Sequence, residues 1–457
     1  MTIPASPVLD SRTFDLESAS AALPGPEWLA QRRATYVARV HDVSFPTTEE
    51  ELWRYTDINR FDLNDYRPLT ASEVGNPGEN STPGGGVVAA EAGDHCALVI
   101  VRDGRVVHHA LDPELEAQGV VVTGIAEAQG DVREHILAHL GTVVQETEDT
   151  FTLLNEAMST GGTYVYIPDS VVCVNPIVIV HWCEGDDVAV FDRTLVHVGR
   201  NAQASVIERF ESSDQHIFMS SITECIVEEN AHVKFLTTQE DGPDTTHIGV
   251  HRTHVYRDGH FESSTVSLGG KYARLRGEVS LMEQGSTSDV MAVYYGDNEQ
   301  LLDFRTLQDH RAPRTTSTLL FKGAVEDKAR SVYSGMIHLR EVAQGAQAYQ
   351  TNRNLVLDHG AHAESIPNLM IEANDVKCSH GSTVGPVDEE QLYYLATRGV
   401  SPADAEKLIV LGFFEDVFSR LSVPALIAPL RRSVNKKIST LAVKRESIES
   451  VEKAETA

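Results

Sequence analysis

Between about residues 160 and 385 one short triplet keeps returning: a small residue, a polar one, then a mostly small or apolar one. It reads Ala202-Gln203-Ala204, Ala231-His232-Val233, Gly259-His260-Phe261 and Ser286-Thr287-Ser288, at intervals of 27 to 29 residues. Ala346-Gln347-Ala348 and Ala361-His362-Ala363 repeat it 15 residues apart. Around these triplets run short segments of period-2 alternation, such as 163–167, 171–174, 177–181, 188–191, 195–198 and 205–210, with almost no helical periodicity. Strands that recur at a near-constant interval cannot each bury a face alone, whereas stacked units can. The expected core is therefore a β-solenoid. Repeats this loose also fit a β-sandwich, which stands as the rival.

The flanks read differently. Pro26, Glu27 and Trp28 open a helical segment running through Val40, and Thr47-Thr48 followed by Glu49-Glu50-Glu51 predicts another helix ending near Tyr55. Residues 71–86 are rich in Gly, Pro and Ser and read as an exposed linker. A short helix is predicted over Asp131–His139. After the strands, Asp388 with Gln391 caps one helix ending near Gly399, and Ser401-Pro402 with Asp404 opens a second. On that helix Leu408, Ile409, Phe413, Val417 and Leu421 form a stripe, either packing onto the solenoid or docking a partner. Beyond Pro429 a basic run (Arg431-Arg432, Lys436-Lys437, Lys444-Arg445) reads as a mobile tail. The expected organisation is thus 1–95 helical region and linker, 96–386 solenoid core, 387–430 helical domain and 431–457 tail.

A net charge of −29 argues against binding nucleic acid or an anionic membrane through a general field. The longest apolar run, Val171–Trp182, is broken by Asn175 and Pro176 and falls short of a membrane span. The N-terminus carries Asp10, Glu17 and Glu27 rather than the apolar core of a signal peptide. The five cysteines (Cys96, Cys173, Cys183, Cys225, Cys378) are odd in number and form no C-x-x-C. That disfavours a disulfide framework, and neither a closed zinc site nor a four-cysteine cluster cradle is expected. A reduced, cytoplasmic protein is expected.

Asn354–Gln391 concentrates the chemistry: His359, His362, Cys378 and His380 among several carboxylates. On a strand, positions two apart share a face, so Cys378 and His380 could ligate one soft ion together. His359 and His362 flank Gly360 in a turn about one coil earlier and are candidate supporting ligands. His247, His251 and His254 lack a pattern that places them on one face and read as surface histidines. Leu268-Gly269-Gly270-Lys271-Tyr272 lacks the first glycine and the Ser or Thr of a phosphate loop, so no nucleotide is expected on this chain. The carboxylate pairs Glu208/Glu211, Glu224/Glu228 and Glu278/Glu283 come without an aromatic sugar platform. A solenoid enzyme acting on an acidic or carbohydrate substrate is the alternative they leave.

Several ordered motifs resemble one family. Glu27-Trp28, Phe45-Pro46-Thr47 and Leu52-Trp53-Arg54-Tyr55-Thr56 look like its N-terminal region, and Gly162–Pro168 with Pro176-Ile177 like its central opening. Tyr349-Gln350-Thr351-Asn352-Arg353-Asn354-Leu355 and Lys377-Cys378-Ser379-His380-Gly381 are the most specific, completed by Arg398-Gly399 and Gly412-Phe413-Phe414. This is the SufB/SufD family of the Suf iron–sulfur cluster assembly system, and the chain is most similar to its SufD branch. SufB-like chains carry a cysteine where His359 stands and a glutamate where Gly381 stands. The resemblance implies a mainly β fold, a right-handed parallel β-helix with helical N- and C-terminal regions. It implies a non-catalytic scaffold that pairs with SufB through the β-helix and receives the ATPase SufC on its C-terminal helices, around Leu408, Phe413 and Val417. The resemblance implies that a transient iron–sulfur cluster, shared with SufB, is built at the interface with His380 as the metal ligand and Cys378 as a nearby residue. Whether a flavin takes part is left open.

Overall fold

The computed structural model describes residues 14–40, 43–50, 53–56, 58, 61–69, 73, 94–145, 149–421 and 427–438. Helices α1 (Leu16–Ala22) and α2 (Glu27–Val40) lead into β1 (Arg67–Pro68), β2 (Ala97–Arg102) and β3 (Arg105–Leu111). Then come α3 (Pro113–Glu116), β4 (Val121–Gly124), α4 (Gly130–His139) and α5 (Thr150–Met158). The strands that follow have no helix between them: β5 (Thr163–Ile167), β6 (Ile177–Cys183), β7 (Val188–Val198), β8 (Gln203–Ser212), β9 (Ile217–Val227), β10 (His232–Glu240), β11 (Thr245–Val255) and β12 (His260–Ser267). They continue as β13 (Tyr272–Leu281), β14 (Thr287–Gly296), β15 (Leu301–His310), β16 (Thr316–Val325), β17 (Arg330–Leu339), β18 (Gln347–Val356), β19 (His362–Ile371) and β20 (Lys377–Gly385). Helices α6 (Glu389–Thr397), α7 (Pro402–Phe418) and α8 (residues 427–438) close the described chain.

Odd-numbered strands from β5 to β19 stack in one sheet and even-numbered strands from β6 to β20 in the other, each from β7 on pairing in parallel with the strand two before it. The result is a parallel β-solenoid of about eight turns, which disposes of the sandwich. The triplet repeat is the register itself. Gln203, His232, His260, Thr287, Thr316, Gln347 and Lys377 form one column of paired Cα atoms. Just before them, Ala202, Ala231, Ser286 and Thr315 sit fully buried where the chain turns inward. Asn201, Asn230 and Asp258 precede this corner at φ of 56°, 56° and 51°, the left-handed conformation that Asn and Asp tolerate best after Gly. The 15-residue step from Ala346 to Ala361 is half a coil, because β18 and β19 lie in different sheets.

Inside, Val196, Val206, Val233, Phe261, Phe304 and Phe321 belong to one continuous core, each worth about 1.5–3 kcal/mol on full burial. The N-terminal helices lie on the outside of the odd-numbered sheet, where Phe151, Leu154 and Met158 of α5 meet Phe191 and Phe218. Ion pairs fix the seam: Arg32 of α2 binds Glu156 of α5 at 2.8 Å, and Arg193 of β7 bridges Glu156 and Glu224. Further along, Trp53 is buried beneath the Arg274 guanidinium, 3.7 Å from its ring centre. Thr56 donates to Asp303 at 2.5 Å, which also pairs with Arg274.

Several expectations change. The segment 47–55 is turn at residues 48–50 and 53–56: Glu50 accepts from the Thr47 N–H at 3.0 Å, but no regular helix propagates among the described residues. The segments 188–191 and 195–198 are one strand, β7, and 171–174 contributes a single bridge, Val172 to Gln203. Residues 427–438 are helical, eight of them in the expected tail 431–457, because Leu430, Val434 and Ile438 recur at four-residue spacing and bury against the even-numbered sheet. Arg431 pairs with Glu415, and Lys437 reaches Asp297 and Gln300. Lys444-Arg445 and, apart from Glu73, the linker 71–86 lie outside the described residues. His247 is not a surface histidine: it is fully buried between Asp241 and Ser221, 2.8 Å from each. His251 and His254 are held down to about pKa 4 by burial, so both are neutral near pH 7.

Candidate functional site

The two ends of the solenoid are finished differently. At the N-terminal end β3 folds back antiparallel on β2, and β4 antiparallel on β5, so the first coils are covered. At the other end, among the described residues, β19 pairs only with β17 and β20 only with β18. Each therefore offers a backbone edge, and apolar side chains stand beside it: Leu369, Met370, Ile371 and Val384 are 38 to 47% exposed. An edge of this kind is a template for another chain.

Cys378 and His380 lie on β20 two residues apart and so share a face, the one turned toward the coil interior. Their register partners on β18 are Ala348 and Gln350. Cys378 is half-buried against the apolar group of Ile337, Ala343, Ala346 and Ala348, and burial pushes its thiol up from the usual value. His380 is exposed. Beneath it Gln350 is buried, and neither its amide oxygen nor its nitrogen has a hydrogen-bond partner, an arrangement that costs free energy in a closed core. Deeper still, Asn352, Asn354 and Tyr294 form a closed network of hydrogen bonds 2.5 to 3.1 Å long. The interior near the open end is thus apolar beside Cys378 and polar beneath His380. The 349–355 motif explains itself here: Gln350, Asn352 and Asn354 are its alternate, inward residues. Their chemistry went unread in the sequence, although period-2 spacing marks them.

His362 opens β19, exposed, with Nε2 3.2 Å from Glu364. His359 lies in the turn before it. Ser365 and Ser382 meet across the last coil at 2.7 Å, which sets His380 opposite Pro367 and His362 opposite Gly385. Five residues along a strand is on the order of 16 Å. The structure therefore keeps Cys378 and His380 together and holds His359 and His362 apart from them. Among the described residues no third His, Cys, Asp or Glu completes a ligand group around Cys378 and His380. A soft ion held there needs ligands from elsewhere. The carboxylates Glu208, Glu224 and Glu278 are committed to His181, Arg193 and Arg276 at 3.1, 3.1 and 2.8 Å.

Residues 181–413 match the family model for the SUF system FeS cluster assembly SufBD core domain, and residues 14–179 match the SufBD protein N-terminal region. The chain belongs to the SufBD family. Iron-sulfur cluster assembly SufBD family proteins of Staphylococcus saprophyticus and Staphylococcus aureus are 28% and 27% identical to it over 318 residues, 68% of each chain. One from Staphylococcus epidermidis is 27% identical over the same span.

In this SufBD chain the C-terminal helices present a second accessible surface. None of the residues of α6 is buried, and Tyr393 and Tyr394 are 73% and 57% exposed. On α7, Leu408 is exposed and Phe413 half-buried, its ring over Lys322 at 4.8 Å. Val417 is buried with Val410 and Phe414 against the chain's own even-numbered sheet. The stripe read from sequence is thus divided between packing and exposure. Among the described residues no helix is long and apolar enough to cross a membrane.

Proposed function

We propose that this chain is a SufD-type scaffold subunit, pairing with a SufB-type chain through the open end of its solenoid and building a transient iron–sulfur cluster there as cargo. The observation that carries the reading is the last coil, where Cys378 and His380 share the inward face, His380 above a polar interior, while the ligand set stays incomplete. A second chain laid on the exposed edges of β19 and β20 would supply the missing thiolate or carboxylate ligands. His380 would bring a neutral imidazole to iron or to a reactive sulfur. Cys378, half-buried and less acidic than a free thiol, is the weaker ligand and plays the nearby part. His359 in place of a cysteine, and Gly381 in place of a glutamate, favour SufD over SufB. A SufC-type ATPase would dock on α6 and the exposed part of α7, supplying the nucleotide chemistry; the chain itself carries no catalytic residue in this reading.

Co-expression with SufB-type and SufC-type partners, anaerobic purification, and iron, sulfide and visible-absorption measurements test it. The His380→Ala complex should assemble in normal yield and lose the cluster chromophore. A full chromophore in that variant removes His380 from the site, and a chain that co-purifies with neither partner removes the scaffold reading.

A further inference from the structure

Helix α4 carries His135 and His139 one turn apart, so both rings leave the same face. That face lies over the outside of the odd-numbered sheet, where Ile136 and Leu140 pack with Tyr164 of β5 and Leu195 of β7. His197 follows Leu195 by two residues and shares its outward direction. The three rings close into a triangle with centroid separations of 4.3 Å (His135–His139), 4.6 Å (His139–His197) and 5.0 Å (His135–His197). One ring nitrogen from each lies within 4.8 Å of the other two.

The hydrogen bonds around the triangle decide which nitrogen of each ring is free. His139 Nδ1 stands 2.8 Å from the carbonyl oxygen of His135. A carbonyl only accepts, so Nδ1 carries the proton and Nε2 keeps its lone pair. His197 Nε2 stands 3.2 Å from the Glu228 carboxylate, which leaves the lone pair on Nδ1. That Nδ1 is buried and has no hydrogen-bond partner, on a residue only 6% exposed. His135 Nδ1 lies 2.5 Å from the Tyr164 hydroxyl, which can accept its proton and leave Nε2 bare. Three times over, one nitrogen is held by a carboxylate, a carbonyl or a hydroxyl while the other can present a lone pair. Histidines that ligate metals are oriented in this way.

We propose that His135, His139 and His197 form a site for one divalent transition-metal ion of the zinc type, with Glu228 and Tyr164 as positioning residues. Three imidazoles without a thiolate select zinc, nickel, copper or ferrous iron over calcium and magnesium. Three protein ligands leave a fourth position open. The ion would tie α4 to β7 and so fasten the N-terminal region to the early coils. The site is separate from Cys378 and His380: β7 and β19 are six strand spacings apart in their sheet, on the order of 30 Å. It stands whether or not the cluster-assembly reading does.

The test is titration of the metal-free full-length chain with Co2+, followed by visible absorption, with displacement by Zn2+. One equivalent should bind and give the ligand-field bands of a nitrogen-rich site. His139→Ala and His197→Ala should each weaken binding by at least about tenfold, Glu228→Gln by about 10- to 100-fold, and His380→Ala should leave it unchanged. His139 is half-buried on a helix, where alanine is the best helix former, so His139→Ala tests the site without threatening the fold. Wild-type binding by the His135→Ala/His139→Ala double variant, or loss of binding in His380→Ala, would overturn the proposal.

Discussion

At the residue scale the most consequential side chains are charged ones inside the coils. His181 is 1% exposed, lies 3.2 Å from Asp192 and 3.1 Å from Glu208, and stacks on Phe210. Burial alone would lower its pKa, but the two carboxylates outweigh burial and raise it to about 10. The folded state therefore holds a proton that the unfolded chain releases near pH 6.5. The triad's contribution is complete below about pH 6.5 and is lost as pH climbs toward 10. His181→Gln should destabilise the chain by about 3–5 kcal/mol near pH 6, because it leaves buried carboxylates uncompensated. Denaturant titration from pH 6 to 10 should show the gap to wild type narrowing; a constant gap would mean that His181 is neutral throughout. None of this was legible in the sequence, since the three partners belong to three successive strands. Cys378 and His380 were legible because they sit two apart on one strand. The separation of His359 and His362 from them follows only once β19 is known to be ten residues long and to run across the coil between the two pairs.

At the element scale, capping chemistry foretold α6 and α7 closely, through Asp388 accepting from Glu390 and Gln391 and through Ser401 accepting from Asp404. The last helix was missed because basic residues between Leu430, Val434 and Ile438 hid their spacing. The same sheet face explains the fate of the α7 stripe. Val410, Phe414 and Val417 take the inward side, and Lys322 ties the helix down by its ammonium, 2.9 Å from both the Phe413 carbonyl and Asp416. Of its large apolar side chains, α7 leaves Leu408 exposed. Replacing Val417 or Phe413 would disturb the chain's own packing, so neither isolates docking. Leu408→Asp should keep the thermal midpoint within a few degrees, since the side chain is 52% exposed. It should weaken binding of a SufC-type ATPase by about tenfold or more in a titration of the purified pair. Unchanged affinity would move the docking surface off α7.

At the scale of the whole molecule, the stacking of coils follows from the triplet repeat, but the asymmetry of the two ends does not. It depends on β2, β3 and β4, whose antiparallel pairings close one end and are announced by no repeat. The opposite end has no such cover among the described residues, and its apolar side chains and backbone edges line one coil. A second solenoid chain meeting that coil would bury Met370 and Val384 along with the edges. Lysine at either position keeps the strand but puts a strongly hydrated charge into the contact, the device natural sheets use to protect an edge. Met370→Lys with Val384→Lys should therefore leave the circular dichroism spectrum and thermal midpoint near wild type. It should weaken pairing with a SufB-type chain by at least about 1.4 kcal/mol, a tenfold rise in Kd, read by sedimentation velocity over a range of concentrations. The same variant should lose cluster along with partner, unlike His380→Ala, which should lose cluster alone. Pairing at wild-type strength would place the partner on another face of the solenoid and leave the open coil without its proposed role.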